Sequence, residues 1–134
     1  MSSSQSPFKS QGGLGRLSQA ARYALQGLMA AFRHEAAFRQ ELAVAIIALP
    51  IALWLGQTVL EVFLLMASIV FVLIVELLNS SLEALADTIT KEHHPLIGQA
   101  KDLGSAAVFL SVLLAVSVWL IVAALRFLPL LPSS

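Results

Sequence analysis

The stretch VFLLMASIVFVLIVELLNSSLEALAD, residues 62–87, joins an apolar run to a polar one without a break in helical character. The fourteen residues before Glu76 carry no charge. Four polar residues then recur on one face, and we call them the polar stripe: Glu76, Asn79, Glu83 and Asp87. In an α-helix their spacing confines them to an arc of roughly 80°. The stretch therefore predicts one long helix whose polar stripe leads from an apolar layer toward water.

An ionisable side chain at the end of an apolar run indicates function. Charged groups inside a membrane are costly, and they usually face a protein interior or a cavity. An exposed extension of the helix beyond the membrane would account for Asp87, but it accounts poorly for Glu76, which directly follows the apolar run. We therefore interpret Glu76 as part of a site.

The composition is that of a membrane protein. The chain has 134 residues, of which 58% are hydrophobic and 12% charged, and its mean hydropathy is +0.86. A soluble domain of this length would carry more charge. Basic and acidic residues balance at eight each, which gives no reason to expect nucleic acid as a partner. Because cysteine is absent, disulfides, thiolate metal sites and cysteine nucleophiles are excluded.

Three apolar segments predict three transmembrane helices. They lie at about 36–56, 59–82 and 100–125. The first contains Pro50, which a membrane helix tolerates where neighbours satisfy the freed carbonyl. The chain is thus expected to comprise a flexible N-terminal tail at 1–15, a single all-α membrane domain at 16–126 and a C-terminal tail at 127–134.

A different kind of helix is predicted before the first span, at about 16–34. Apolar residues recur there at three- and four-residue steps, while the arginines lie mostly elsewhere on the helical wheel. This pattern is typical of a basic amphipathic helix on the inner leaflet. Simple electrostatic anchoring to anionic lipid and a contribution to the site both remain open.

The basic residues predict the orientation. Five of them precede Leu42, where the charge-free part of the first span begins, two lie between Thr88 and Asp102, ahead of the charge-free part of the third span, and one follows that span. The positive-inside rule then places the N-terminus and the loop containing Lys91 and Lys101 in the cytoplasm. The charged end of the polar stripe faces the same side.

The polar candidates on that side favour phosphoryl transfer at the membrane surface. Carboxylates bind hard divalent cations and accept protons, and a lysine beside them suits phosphate. Each part has a simpler explanation, because Glu35 could pair with Arg39 along one helix and Lys101 could be an interfacial anchor. The usual nucleotide motifs, G-x-x-x-x-G-K-[ST], H-R-D and D-F-G, are absent. A kinase of this sequence therefore needs a different architecture.

Three blocks, each beside an apolar span, carry a more specific signal. They are Glu35-Ala-Ala-Phe-Arg-Gln-Glu41, Val75-Glu-Leu-Leu-Asn-Ser80 with Glu83 and Asp87, and Ala100-Lys-Asp-Leu-Gly-Ser-Ala-Ala107. Together and in this order they resemble the prokaryotic integral-membrane diacylglycerol kinases, over roughly residues 16–126.

The resemblance implies a fold, a reaction and a location. The fold is a homotrimeric helical bundle of three-span subunits, each with a surface helix, and active sites are shared between subunits at the cytoplasmic interface. The reaction transfers the γ-phosphoryl of ATP, with Mg²⁺, to diacylglycerol and gives phosphatidic acid for membrane lipid recycling. The location is the bacterial inner membrane.

The resemblance also assigns residues. It implies that Glu76 is the base toward the substrate hydroxyl, that Glu35 and Glu83 hold the metal, and that Asn79 and Asp87 support the site. The positions matching the nucleotide site are Arg16, Tyr23, Glu35, Glu83, Glu92, His93, His94, Lys101 and Asp102. The positions matching the lipid site are Arg16, Ala37, Phe38, Arg39, Gln40, Glu41, Trp54, Glu76, Ser105 and Trp119.

Alternatives of the same and of other classes remain at this point. An undecaprenol kinase would share the fold and the polar machinery. A small proton-coupled exporter would use Glu76 as its intramembrane carboxylate, but it predicts polar residues on both sides of the membrane. A structural adaptor leaves the carboxylates unexplained. Three spans also make a thin bundle, so we expect neighbouring subunits to bring Glu35 and Lys101 to the polar stripe.

Overall fold

The structure, a computed structural model, describes residues 12–128 and consists there of four α-helices. They are α1 (Gly13–His34), α2 (Ala36–Leu55), α3 (Val59–Ile89) and α4 (Pro95–Phe127). No strand occurs within residues 12–128. Helices α2, α3 and α4 are long and apolar enough to cross a membrane. The predicted all-α class with three spanning helices is therefore confirmed.

The predicted tails lie mainly outside the described residues. Residues 1–11 of the first tail and 129–134 of the second are not among them. Helix α1 begins at Gly13, three residues before the expected start, and α4 ends at Phe127. Helix α3 extends from its apolar run to Ile89, so it carries the whole polar stripe, as the periodicity predicted.

Capping residues fix where the spanning helices begin. At the start of α3, the Glu61 N–H donates to Thr58 Oγ1 at 3.1 Å, and the Thr58 hydroxyl donates to Glu61 Oε2 at 3.3 Å. The Thr58 side chain therefore caps the helix and also pairs with the Glu61 carboxylate. At the start of α4, the Leu96 N–H donates to His94 Nδ1 at 3.3 Å, and Pro95 occupies the first helical position, where its missing N–H costs nothing.

The core lies near the turn between α2 and α3, where the three spanning helices meet. Ala52, Leu55, Leu65 and Val122 form its buried cluster. Trp119 Nε1 donates to the Leu65 carbonyl at 3.1 Å and so ties α4 to α3. Many other large apolar side chains remain exposed along α2, α3 and α4. Their distribution suits a bundle whose surroundings are lipid.

Helix α1 projects from the bundle. Ala31, near its C-terminal end, is its only buried residue. Apolar side chains such as Leu14, Leu17 and Leu25 are exposed, as an amphipathic surface helix requires. The helix therefore meets the spanning helices mainly through its last turns, beside Glu35.

Candidate active site

Glu35 lies at the break between α1 and α2. Its extended backbone, with φ −114° and ψ 106°, ends the first helix and precedes the second. Arg39 Nη1 donates to the carbonyls of Phe32 at 2.8 Å and Arg33 at 3.1 Å, which would otherwise lack partners at the end of α1. The Arg39 guanidinium therefore holds the corner from which the Glu35 side chain extends.

Four carboxyl groups gather below this corner, and we call them the carboxylate cluster: Glu35, Glu41, Glu76 and Glu83. Glu76 is only 5% exposed. The carboxylates of Glu35 and Glu83 lie within electrostatic range of Glu76, and Glu41 also interacts with Glu76. Grouping like charges is unfavourable unless protons or cations offset them. The cluster is therefore built for a cationic or cation-bearing ligand.

One chain supplies groups that we expected from neighbouring subunits. Glu35 lies within electrostatic range of Glu76 in its own chain, at the break between α1 and α2. Lys101 also reaches the stripe within the chain, since α4 packs extensively against α3. One chain therefore brings Lys101 to the stripe and Glu35 within electrostatic range of Glu76.

Hydrogen bonds orient two members of the polar stripe. Ser80, one helical turn beyond Glu76, hydrogen-bonds the Glu76 carboxyl group. Asn79 Nδ2 donates to Glu83 Oε1 at 3.3 Å. Ser80 was not among the predicted site residues, although its spacing of four residues from Glu76 places it on the same helix face. The i, i+4 rule was the signal that could have identified it.

Lys101 forms an ion pair with Asp87 at the outer end of the polar stripe. Its Nζ lies 2.6 Å from Asp87 Oδ1, and the two side chains are 39% and 48% exposed. An exposed pair of this kind contributes about 0–1 kcal/mol to stability. Lys101 can therefore exchange Asp87 for a ligand phosphate at little cost.

An apolar cleft of about 480 Å³ opens between α2, α3 and α4. Gln40 and Glu41 line it at one end, and Trp119 lies among the apolar side chains farther along. Its other walls include Val44, Ala48, Val72, Val112 and Val116. Since Glu41 interacts with Glu76, the cleft approaches the carboxylate cluster. It joins a polar end to an apolar channel, which suits a lipid with a polar head.

The residues that line the cleft walls have no sequence feature that distinguishes them from ordinary hydrophobic core residues. Valine and alanine at these positions fit any buried helix face, so the sequence could not single them out. Gln40, Glu41 and Trp119 were predicted near the lipid, and the cleft brings these three together.

Other predicted residues lie apart from the carboxylate cluster. Arg16 and Tyr23 are on α1, and Arg16 precedes Glu35 by roughly 29 Å of helix. Trp54 is at the far end of α2, where its ring meets Phe127 at 5.7 Å and Arg126 at 5.7 Å. The remaining predicted positions are exposed on the α3–α4 connection and on the early turns of α4: Glu92, His93, His94, Asp102 and Ser105. Ala37 and the buried Phe38 lie on the first turn of α2.

The carboxylates suit a metal ion that is held only partly by protein. Within residues 12–128, no three His, Cys, Asp or Glu side chains converge as a protein-only metal cage requires. Mg²⁺ commonly takes one or two carboxylates and completes its shell with phosphate oxygens and water. Glu35 and Glu83, both within electrostatic range of Glu76, fit this arrangement as hard oxygen ligands.

Comparison with known proteins agrees with these features. The model of a family described as prokaryotic diacylglycerol kinase matches residues 22–123. The diacylglycerol kinase of Escherichia coli is 47% identical over 109 residues, which cover 81% of this chain and 89% of the relative. That of Pseudomonas aeruginosa is 46% identical over 116 residues, with 87% and 94% coverage. That of Helicobacter pylori is 36% identical over 119 residues, with 89% and 92% coverage.

Proposed function

The chain belongs to the prokaryotic diacylglycerol kinase family, and from this premise we propose that it transfers the γ-phosphoryl group of ATP to the hydroxyl of diacylglycerol. The product is phosphatidic acid, and the role is membrane lipid recycling. One observation supports this most directly: the buried Glu76 carboxyl group lies in the carboxylate cluster, which the apolar cleft approaches through Glu41. A hydroxyl at the head of a two-chain lipid would enter from the cleft and meet Glu76.

Glu76 is the base in this mechanism. Its carboxylate accepts the proton of the lipid hydroxyl as the hydroxyl oxygen bonds to the γ-phosphorus and the bond to the ADP oxygen breaks. The Ser80 hydrogen bond orients the Glu76 carboxylate toward the hydroxyl. The apolar cleft excludes water, which would otherwise compete as acceptor.

The nucleotide is held at the outer part of the polar stripe. Glu35 and Glu83 would hold Mg²⁺, which when bound would offset negative charge on the phosphates. Lys101 leaves Asp87 and pairs with a phosphate oxygen. Asn79 keeps the Glu83 carboxylate in place through its side-chain amide. The lipid and the nucleotide thus approach Glu76 from opposite directions along one helix.

We also propose a location and an assembly. The chain is a bacterial membrane protein with three helices able to span the bilayer. The distribution of basic residues supports the inner membrane with the N-terminus and the site in the cytoplasm, where ATP is available. The exposed apolar faces and the projecting α1 support a homo-oligomer, by resemblance a trimer. Arg16 would then act in the site of a neighbouring subunit.

Purified protein in mixed micelles should consume ATP when diacylglycerol is supplied, because the apolar cleft leads toward the carboxylate cluster and Glu76 receives one hydroxyl proton. Undecaprenol at the same mole fraction should give much slower turnover. The measurement is ADP release coupled to NADH oxidation, with phosphatidic acid identified by mass spectrometry. Faster turnover with undecaprenol would reject diacylglycerol as the substrate.

Replacing Glu76 by Gln should lower turnover by about 10²–10⁴-fold, because the amide cannot accept the hydroxyl proton. Nucleotide affinity should stay close to that of the parent, since Glu76 lies at the lipid side of the site. Glu61→Gln is the matched control: it makes the same change on the same helix, and the glutamine side-chain oxygen can still accept from the Thr58 hydroxyl. Near-normal turnover of Glu76→Gln would remove this residue from the base role.

Glu35→Gln and Glu83→Gln should each raise the Mg²⁺ concentration needed for half-maximal activity by roughly tenfold or more, because an amide is a weaker ligand for a hard cation. Chelation of the metal should abolish activity in the parent. The measurement is a Mg²⁺ titration at saturating diacylglycerol, again with Glu61→Gln as control. If both variants keep the parent Mg²⁺ dependence, the metal assignment is wrong.

Mixing subunits should show which residues of a site share a chain. Co-refolding Arg16→Ala with Glu76→Gln subunits in equal amounts should restore about a quarter of the sites, since each site would take Arg16 from a neighbour. We expect co-refolding of Glu35→Gln with Glu76→Gln subunits to restore none, because Glu35 lies within electrostatic range of Glu76 in the same chain. A fully active monomer, shown by mass and turnover on the same sample, would contradict the shared site.

A further inference from the structure

Gly104, on α4, lies directly against a member of the polar stripe. The space that a side chain would fill at Gly104 is occupied by Asn79 Oδ1, and a Cβ atom built there would collide with this oxygen. Asn79 Cγ and Leu82 Cδ2 would lie 3.4 and 3.8 Å from the same Cβ. Gly98, six residues earlier on the same helix, has open space at the corresponding position. The two glycines therefore differ in what a methyl group would meet.

The Asn79 amide has one favourable orientation. Its Nδ2 donates to Glu83 Oε1 at 3.3 Å. A reversed amide would place Oδ1 against the Glu83 carboxylate, so that two acceptors would face each other. In the observed orientation Oδ1 is buried without a hydrogen-bond partner in residues 12–128, and it faces the Cα–H bond of Gly104. This contact is at most a weak Cα–H···O interaction, which only an approach to bare backbone permits.

We propose that Gly104 is a positioning residue for phosphoryl transfer: its missing side chain seats the Asn79 amide, which in turn holds the Glu83 carboxylate for Mg²⁺-ATP. The inference rests on the proposed function, in which Glu83 helps to hold the metal. Gly104 itself touches neither substrate nor metal.

The contact between Gly104 and the Asn79 side chain is held rigidly by both helices. Asn79 and Gly104 belong to long helices that pack extensively on each other, so neither backbone can withdraw cheaply. A methyl group at position 104 must therefore displace the Asn79 side chain. Displacement breaks the bond from Nδ2 to Glu83 Oε1, and the Glu83 carboxylate is then free to rotate away from the position that the metal requires.

Gly104→Ala and Gly98→Ala are the test pair, because both add one methyl group to α4. Asn79 is the only asparagine in the chain, so labelling asparagine with ¹⁵N gives a single side-chain amide signal. Gly104→Ala should shift that signal and weaken binding of Mg²⁺ with a non-hydrolysable ATP analogue by about 10–100-fold, the usual effect of losing a group that supports a metal ligand. Gly98→Ala should match the parent in the NMR spectrum and in calorimetric titration.

The outcomes separate this inference from the proposed function. If Gly104→Ala leaves both the Asn79 signal and the nucleotide affinity unchanged, Gly104 does not position the Asn79 amide. If the signal moves while affinity and Mg²⁺ dependence stay at parent values, Gly104 is a packing residue and the positioning role is rejected. Failure of the parent to phosphorylate diacylglycerol rejects the proposed function. The Asn79 signal and the nucleotide titration still decide whether Gly104 positions the Asn79 amide.

A second comparison tests the contact between Gly104 and Asn79 if Gly104→Ala does not fold. Asn79→Ala removes the atom that would collide, so Asn79→Ala/Gly104→Ala should fold as well as Asn79→Ala. The two should also bind Mg²⁺ and the nucleotide analogue equally, because the contact through which Gly104 acts is already lost. A further loss of affinity in the double variant would show that Gly104 acts by another route and would overturn the proposal.

Discussion

The free-energy cost of burying Glu76 constrains the rest of this bundle. A carboxylate removed from water needs hydrogen bonds or opposite charge, or it protonates. Within the described residues, Glu76 receives a hydrogen bond from Ser80, while its charged neighbours are other carboxylates. The ion pair in this part of the chain joins Lys101 to Asp87, at the far end of the polar stripe. The chain alone therefore leaves Glu76 under-compensated, and a bound cation with its phosphates would relieve the repulsion.

Helix geometry then decides which groups can meet Glu76. A continuous helix through Glu35 would fix its direction by the helical period, whereas the break there lets the side chain turn toward α3. Arg39 stabilises the break by binding the last carbonyls of α1. On the other side, Gly104 allows α4 to approach Asn79 closely. The site thus depends on two local features: the helix break at Glu35 and the missing side chain at Gly104.

The sequence revealed the parts that depend on periodicity and charge. The polar stripe on α3, the three spanning helices and the amphipathic α1 all follow from spacing, and each is present as expected. The sequence did not reveal what depends on tertiary contact. The use of Arg39 at the end of α1, the hydrogen bond from Ser80 and the space beside Gly104 are set by how helices meet, and the cleft walls are chemically ordinary residues. The sequence also did not reveal that Glu35 comes within electrostatic range of Glu76 in the same chain, because the turn at Glu35 leaves no mark in the hydrophobic pattern.

The site finally divides into a fixed part and an exchangeable part, and burial sets the boundary. Glu76 is buried and Asn79 and Glu83 are half-buried, so the hydrogen bond from Asn79 holds the Glu83 carboxylate in place before any ligand arrives. Lys101 and Asp87 lie in water, where their pairing contributes about 0–1 kcal/mol and can be exchanged for a phosphate. If the lysine and its partner were buried, separating the ion pair would leave an uncompensated charge and would cost much more free energy. A fixed Glu76 at the lipid side and a loosely paired Lys101 at the water side therefore suit a catalyst whose lipid substrate comes from the membrane and whose nucleotide comes from solution.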